Sequence, residues 1–176
     1  KLLELITLGS ANLELAPASL REVAAEVELS LRPVMAQSEQ HLECNCPALT
    51  LDLDRELFKS LLYNLLDNGR KASETGGRLE LTAREAEGQA EILVRDYGRG
   101  IPQEELDKVC QPFYMVDKSR SRRAGGVGLG LALCREIVSV HGGTMEIDSS
   151  PGEGTLVTLR FPLSHTAEGG GSHAES

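Results

Sequence analysis

Long apolar runs are missing from this sequence of 176 residues. No stretch approaches the roughly 18 to 20 apolar residues that a membrane-spanning helix requires, and no signal peptide precedes the first segment, KLLELITL. We therefore expect a cytoplasmic domain, and this is compatible with a parent protein that is anchored in the membrane elsewhere. Residues 1–15 are interpreted as the end of a longer helix and a linker, and residues 164–176 as a disordered tail.

Cysteine pairs at metal-binding or redox spacing are also missing, because none of the four cysteines forms a CxxC motif. One alternative enlists His41, Cys44 and Cys46 as zinc ligands. In an extended strand, however, Cys44 and Cys46 share a face with Leu42 while His41 points to the other side. We therefore favour burial of both cysteines as small apolar side chains and predict no zinc site.

Positive charge is scarce, because 18 Lys and Arg residues face 27 Asp and Glu residues and the formal net charge is −9. An acidic chain lacks the basic surface that binding to a phosphate backbone needs, so we expect no nucleic acid partner. The one basic patch, residues 118–123, lies in a stretch of about 18 residues, 111–128, that has no periodicity. Loops of this length in compact domains are typically functional.

With 40% apolar and 26% charged residues, the chain has the composition of one soluble globular domain. The first predicted elements are a helix that starts at a Ser19–Glu22 capping box, a strand over 42–53 and a helix over 54–73. A hairpin that turns at 87–88 and a short helix with Pro102 in its first turn follow. The last elements are a helix from about Leu129 to His141 and a hairpin of strands 144–149 and 155–162. This order predicts an α/β (α+β) two-layer sandwich, in which helices cover one face of a mixed, mainly antiparallel sheet.

The helix over 54–73 carries polar groups within its apolar stripe. Asn64, Asn68 and Lys71 lie on the same side as Leu57 and Leu61. A buried asparagine amide without a partner costs roughly 1–3 kcal/mol, so these amides need partners. Local capping or a hydrogen bond at a sheet edge is one solution. The alternative is a metal-bound phosphate, since amide oxygens suit Mg²⁺ and the Lys71 ammonium suits phosphate.

Two glycine-rich segments carry the remaining chemistry. In DYGRGIP, directly after a predicted strand, Gly98 and Gly100 let the backbone approach a flat ligand, and the Asp96 carboxylate can accept from an exocyclic amine. Alone, such a segment is more often a turn. In GGVGLGL, residues 125–131, the glycine spacing excludes the dinucleotide fingerprint, and Leu131 stands where a P-loop requires lysine. A glycine-rich helix start is left, whose free N–H groups suit a polyphosphate.

In order and spacing, five segments resemble the N, G1, F and G2 boxes and the final strand of sensor histidine kinases. They are NLLDNGRKAS (64–73), DYGRGI (96–101), PFYMVDKSRS (112–121), GVGLGLAL (126–133) and GEGTLVTLRFP (152–162). These kinases belong to the GHKL superfamily of ATPases with the Bergerat ATP-binding fold. The resemblance implies an ATP-binding catalytic domain over residues 16–163, with a long ATP lid and with ATP and Mg²⁺ as cofactors.

The resemblance also implies roles for single residues. Asp96 would accept the adenine amino group, with support from Thr155. Asn68 would bind Mg²⁺ with help from Asn64, and Lys71 would contact the phosphates. The other ATP contacts that the resemblance implies are Gly98, Gly100, Ile101, Tyr114, Gly126, Val127, Gly128, Leu129, Gly130 and Leu131.

Partners follow from the same resemblance. Members of the family usually phosphorylate a histidine on a preceding two-helix dimerisation domain, so residues 1–15 would be the end of that domain. A homodimeric parent and a response regulator partner are implied as well. The four histidines of this chain lie in no phosphoacceptor-like context, and we therefore expect the chain to lack its acceptor.

Met115 departs from the family pattern, which often has an arginine at this place. Stabilisation of the γ-phosphate charge would then fall to cations of the basic patch, with a solvated loop as the alternative. These cations are Lys118, Arg120, Arg122 and Arg123. The predicted catalytic residues are thus Asn64, Lys71, Lys118 and Arg120.

Two other functions stay open. One is another GHKL ATPase, and the other is a nucleotide-binding module without turnover. The hydrolysing branches generally carry a glutamate four residues before the metal-binding asparagine, to activate water. This chain has Asn64 at that position, which argues against hydrolysis.

Overall fold

The structure is a computed structural model, and it describes residues 13–115 and 130–164. The interpretations of residues 1–12 and 165–176 as a helix end and a tail lie outside these ranges. In chain order the elements are β1 (Ala16–Ser19), α1 (Leu20–Gln37), β2 (His41–Asn45), β3 (Thr50–Leu53), α2 (Arg55–Ala72), β4 (Arg78–Ala86), β5 (Gln89–Asp96), α3 (Gln103–Leu106), α4 (Gly130–Val140), β6 (Thr144–Ser150) and β7 (Gly154–Pro162).

The main sheet has the strand order β2-β4-β5-β7-β6. β2 and β4 run parallel, and the other three pairings are antiparallel. β1 and β3 form a separate antiparallel ribbon. Because β5 and β7 join the two hairpins, the predicted mixed, mainly antiparallel sheet of a two-layer α/β sandwich is confirmed.

The core lies between the sheet and the helices α1, α2 and α4. Along β5, Ala90, Ile92 and Val94 alternate on the core side and are buried. The apolar face of α2, including the fully buried Phe58, packs into the same cluster. Each large apolar side chain buried in this way contributes about 1.5–3 kcal/mol. The alternation that buries Val94 also turns Asp96, two residues on, towards the helices.

The predicted strand over 42–53 is two strands, β2 and β3. Pro47 interrupts it, because proline has no N–H for a ladder, and the Leu49 N–H donates to the Pro47 carbonyl at 2.9 Å. Within β2 the predicted alternation is correct: His41 is exposed, while Cys44 is half-buried against the core. Cys46 follows the strand and is buried, with its Sγ 3.9 Å from the Leu81 carbonyl oxygen.

The sequence analysis missed β1. Its four residues, APAS, show no apolar alternation, and Pro17 argues against a central strand. Pro17 is tolerated because, among residues 13–115 and 130–164, β1 pairs with β3 alone, and Pro17 lies opposite Asp52.

The helix ends follow the predictions with one correction. α1 starts after Ser19 as predicted, but the Ser19 side chain makes no cap hydrogen bond within the described residues, so the capping box is wrong. Instead the Leu20 N–H donates to the Leu49 carbonyl at 2.9 Å. α4 ends as predicted, with Gly142 at a φ of 68°. Of the helices in the described ranges, none is long and apolar enough to cross a bilayer.

Candidate functional site

Asp96 ends β5 and is 7% exposed. Its Oδ1 accepts the Gly98 N–H at 2.9 Å, and its carboxylate also accepts the backbone N–H of Thr155, which pairs with it across β5 and β7. Burial raises the pKa of Asp96 above its ordinary value, although these two hydrogen bonds act in the opposite direction. The carboxylate is therefore held by two backbone donors and poorly solvated, and a carboxylate with two donors has further lone pairs that no other described residue uses.

Gly98 and Gly100 bring the loop after Asp96 close to other parts of the backbone. A Cβ at Gly98 would lie 2.4 Å from the Ala72 carbonyl oxygen, at the end of α2. A Cβ at Gly100, where φ is 70°, would lie 1.9 Å from the Ser150 carbonyl oxygen, at the end of β6. These contacts explain both glycines by packing, and the close approach to a ligand stays a prediction.

Ser149 belongs to this site, and the sequence analysis missed it. Its buried Oγ accepts the Ile101 N–H at 2.8 Å and lies 2.8 Å from the Gly154 carbonyl oxygen. It also lies 2.9 Å from the Thr155 hydroxyl. The available signal was the alternation of β6, which places a serine on the core side after Met145 and Ile147.

Asn64 is buried on the face of α2 that meets α4. Its Nδ2 donates to the Ser60 carbonyl at 2.6 Å and lies 3.2 Å from the Ser60 hydroxyl. Its Oδ1 is buried without a hydrogen-bond partner in the part of the chain that the structure describes. The local hydrogen bond that we considered thus satisfies the amide donor and leaves the acceptor free.

Asn68 lies one turn further along α2, against the first residue of α4. A Cβ at Gly130 would be 3.3 Å from the Asn68 Oδ1 and 3.8 Å from the Asn64 Oδ1. Gly130 and both asparagines therefore lie together, with Leu131 next in the first turn of α4. A free, buried amide oxygen beside a second one is a donor set that fits a hard cation such as Mg²⁺.

Lys71 pairs with Asp67, a residue that the sequence analysis did not single out. The Lys71 Nζ lies 2.8 Å from one carboxylate oxygen of Asp67, and the Arg70 Nη2 lies 2.8 Å from the other. Burial raises the pKa of Asp67, but the hydrogen bonds from Lys71 and Arg70 outweigh it and hold that pKa below its ordinary value. The spacing of four residues between Asp67 and Lys71 was the available signal.

Gly69 connects these two groups of side chains. A Cβ at Gly69 would lie 3.1 Å from the Asp96 Cβ and 3.4 Å from its Oδ2. The polar end of α2 and the carboxylate at the end of β5 are therefore neighbours, and together they form one site.

Tyr114 is half-buried at the end of the first described range. Its backbone N–H donates to the Gln111 carbonyl at 3.2 Å, and the Lys108 Nζ lies 6.0 Å from the centre of its ring. The remaining predicted site residues lie outside the described residues. They are Lys118, Arg120, Arg122, Arg123, Gly126, Val127, Gly128 and Leu129.

Comparison with known families gives one domain match. Residues 53–165 match the model of the histidine kinase-, DNA gyrase B-, and HSP90-like ATPases. This range contains every residue of the site described above and more than half of the chain.

Among curated proteins, the chain is 39% identical over 136 residues to the sensor histidine kinase WalK of Bacillus subtilis, covering 74% of this chain and 22% of that protein. It is 33% identical over 157 residues to the alginate biosynthesis sensor protein KinB of Pseudomonas aeruginosa, covering 88% of this chain and 26% of that one. The chain thus spans roughly a quarter of the length of these relatives.

Solved structures give the same result for the fold. The mycobacterial sensor histidine kinase MprB matches with a TM-score of 0.72 and 28% identity, over 85% of this chain and 97% of that one. The catalytic domain of the histidine kinase ThkA matches with a TM-score of 0.74 and 24% identity, over 85% and 95%. With the family match over residues 53–165, these likenesses show that the chain belongs to the histidine kinase-, DNA gyrase B-, and HSP90-like ATPase family, as a domain of the kind found in sensor histidine kinases.

Proposed function

We propose that residues 16–163 form a catalytic domain that binds Mg-ATP and donates the γ-phosphoryl group to a histidine on a dimerisation domain of the same protein. The observation that carries this proposal is the Asp96 carboxylate. It is buried, held by two backbone N–H groups and free of ion pairs within the described residues, while the amide oxygens of Asn64 and Asn68 lie beside the start of α4. One end of the site thus suits an amine and the other a metal-bound phosphate.

At the adenine end, Asp96 accepts from the exocyclic amine, and Thr155 stands beside it as a second polar contact. Gly98, Gly100 and Ile101 form the loop wall. Support for this arrangement is the network that holds the wall in place, in which the Ile101 N–H donates to Ser149. Tyr114 covers the base from the far side in this proposal.

At the phosphate end, Asn68 binds Mg²⁺ and the free Oδ1 of Asn64 accepts from its hydration shell. The metal neutralises phosphate charge when it is bound. Lys71 supplies a further positive charge, and its ion pair with Asp67 fixes where that charge lies. The first turn of α4, from Gly130 and Leu131, and the segment of Gly126, Val127, Gly128 and Leu129 offer backbone N–H groups to the phosphates.

Transfer to histidine is favoured over hydrolysis. In the transfer step a histidine nitrogen attacks the γ-phosphorus, and the bond from that phosphorus to the oxygen bridging it to ADP breaks. ADP leaves with the electron pair of that bond, and the histidine ring gives its proton to water. Hydrolysis would instead need a base to activate water, and Asn64 is no base, because the nitrogen lone pair of a neutral amide is delocalised; here its Nδ2 donates to the Ser60 carbonyl. Lys118 and Arg120 would stabilise the charge on the transferred group.

The partners in this proposal are the dimerisation domain, a second copy of the parent protein and a response regulator. Support for the last comes from a neighbour of the same fold, ThkA, which was solved in complex with the response regulator protein TrrA. The parent would be anchored in the membrane, with this domain on the cytoplasmic side.

Incubation of the purified chain with ATP labelled at the γ-phosphate tests this proposal. We expect Mg²⁺-dependent binding of ATP and ADP, no labelling of the chain itself and slow release of phosphate. Addition of a separate protein that carries the dimerisation domain of the parent should give a labelled histidine on that protein. Stoichiometric labelling of the chain alone, or rapid hydrolysis, would contradict the assignment, and binding without any transfer would favour a module without turnover.

Hydrogen exchange over residues 114–127 tests the proposed lid. A triphosphate carries more charge than a diphosphate, so ATP should protect these amides more than ADP does, and charge reversal at Lys118 or Arg120 should reduce the difference. Equal protection in the apo, ADP and ATP states would assign the basic patch to another surface.

A further inference from the structure

Ser149 lies at the centre of a hydrogen-bond network behind the adenine end of the site. Three groups approach its Oγ: the Ile101 N–H at 2.8 Å, the Gly154 carbonyl oxygen at 2.8 Å and the Thr155 Oγ1 at 2.9 Å. Ser149 is 3% exposed, so its own hydroxyl is buried in all three contacts, while Ile101 and Thr155 are half-buried. Above, Ser149 only holds the loop wall through the Ile101 N–H, and no role towards the nucleotide base is assigned to it.

A count of protons fixes the direction of these bonds. A serine hydroxyl has one proton to donate and two lone pairs to accept with. The Ile101 N–H can only donate, so it takes one lone pair. The Gly154 carbonyl can only accept, so it takes the proton. The Thr155 hydroxyl must then donate its own proton to the second lone pair of Ser149.

The opposite direction is unfavourable. Suppose that Ser149 donated its proton to Thr155 instead. The Ser149 Oγ and the Gly154 carbonyl oxygen would then lie 2.8 Å apart with no proton between them. A buried acceptor left without a donor costs roughly 1–3 kcal/mol.

We infer that Ser149 is a specificity-determining residue, because it consumes the Thr155 proton and leaves the Thr155 hydroxyl as a pure acceptor towards the nucleotide base. Asp96 lies opposite Thr155 on the neighbouring strand and accepts as well. The two acceptors favour a base with an exocyclic amine and repel a base with a carbonyl oxygen at the same place. This inference rests on the proposed function and adds a residue that acts on the base only through Thr155.

Binding of ADP and of inosine diphosphate, which carries a carbonyl oxygen in place of the adenine amine, tests the inference. Isothermal calorimetry at neutral pH with Mg²⁺ gives the ratio of the two affinities. In Ser149→Ala the Thr155 proton is released and can turn towards the carbonyl oxygen. The preference for ADP should then fall about fivefold, the size expected for one hydrogen bond.

Thr155 variants separate this role from a structural one. Thr155→Val removes the acceptor and should lower the preference for ADP to a similar extent. Adding Ser149→Ala to Thr155→Val should change the ratio no further, because the hydroxyl through which Ser149 acts is gone. Thr155→Ser should keep the ratio of the wild type, and Thr158→Val, on the opposite face of β7, is the matched control.

The outcomes are distinct. If Ser149→Ala weakens both nucleotides equally, Ser149 only supports the loop and the inference is overturned. If Ser149→Ala fails to fold, an unchanged ratio in Thr155→Val overturns it in the same way. A wild-type chain that binds neither nucleotide would instead overturn the proposed function, and the inference with it.

Discussion

Asp67 and Asp96 are equally buried, with 7% of each residue exposed, yet their pKa values move in opposite directions. Asp67 lies near the end of α2 between Lys71 and Arg70, and its pKa is lowered. Asp96 is held by the backbone N–H groups of Gly98 and Thr155, and its pKa is raised. Burial penalises both charges, and the difference lies in what compensates it.

This difference separates a structural carboxylate from one that is ready for a ligand. Asp67 is already neutralised by two cations, so it gains little from another donor. Asp96 has two neutral donors, and a ligand amine would relieve part of its desolvation. The ionised form of Asp96 lowers the stability of the free domain at neutral pH. In contrast, the ionised form of Asp67 raises it at every pH above the pKa of an unfolded aspartate.

Replacement of the ligand-ready carboxylate should have the largest effect. Asp96→Asn keeps the shape but loses the charge, and its amide can turn a donor towards the adenine amine. We expect ADP to bind about 10- to 150-fold more weakly, or about 1.5–3 kcal/mol. Calorimetry measures this directly, with Asp148→Asn on the exposed side of β6 as the control. Unchanged affinity in a folded Asp96→Asn variant would remove Asp96 from the site.

Replacement of the structural carboxylate should act on folding instead. Asp67→Asn leaves Lys71 and Arg70 without their shared partner and should lower the free energy of unfolding at pH 7 by about 1–2 kcal/mol. Urea denaturation of the wild type and of Asp67→Asn measures this change in the free energy of unfolding. Glu56→Gln, which breaks an exposed ion pair with Lys59, is the control and should cost less than about 0.5 kcal/mol.

The lowered pKa of Asp67 determines how the loss of stability in Asp67→Asn depends on pH. The stabilisation by Asp67 is complete above the unfolded pKa of about 3.9 and disappears as the pH falls through the lower folded value. The difference between wild type and Asp67→Asn should therefore be constant from about pH 7 to pH 5 and shrink in stronger acid. If the two free energies of unfolding still differ in stronger acid, the charge of Asp67 is not the source of the stabilisation.

Nucleotide binding should depend on pH through the raised pKa of Asp96, in the direction opposite to the shift at Asp67. Because burial raises the pKa of Asp96 in the free domain, protons compete with the amine at a higher pH than they would at an exposed aspartate. Below that raised pKa, the affinity for ADP should fall by up to about tenfold per pH unit. The phosphates of ADP titrate too, so the measured quantity is the difference in slope between wild type and Asp96→Asn. Parallel slopes would contradict the raised pKa.

Local patterns were enough to predict the helices, the two hairpins and the placement of Asn64, Asn68 and Asp96. Period and alternation decide which face of an element is buried, and a polar residue on that face is conspicuous in the sequence. β1 was missed because APAS has no alternation, and the strand over 42–53 was wrongly continuous because the effect of Pro47 on the ladder was not considered.

The partners of these side chains could not be predicted, because they depend on register and on competition between neighbours. Ser149 acquires its role from its position opposite Thr155, which the β6-β7 pairing sets. The Lys71 ammonium can reach Asp67 or a phosphate from the same helix position, and sequence spacing does not distinguish the two. Gly69 and Asp96 are in contact although 27 positions separate them in the sequence, so no local pattern indicates this contact.

Gly69 follows Asp67 by two residues in α2 and packs against Asp96, and its replacement should give the smallest effect on folding. Gly69→Ala improves the helix propensity of α2 by about 1 kcal/mol. The new Cβ would lie 3.0 Å from the Leu79 Cδ2, which can move, and 3.1 Å from the Asp96 Cβ, which β5 holds in place. These terms should offset each other to within about 0.5 kcal/mol in the free energy of unfolding.

The affinity for ADP should nevertheless fall about two- to threefold in Gly69→Ala, because the Asp96 carboxylate must shift by a few tenths of an ångström. Urea denaturation and calorimetry on the same variant separate the two quantities. Gly98→Ala is the contrasting variant, since its Cβ would lie 2.4 Å from the backbone oxygen of Ala72 and must displace the loop. The contrary outcome is a Gly69→Ala domain that loses stability but binds ADP as tightly as the wild type. It would show that the contact between α2 and Asp96 contributes only to packing. The position of the carboxylate would then be set by the Gly98 and Thr155 N–H groups alone.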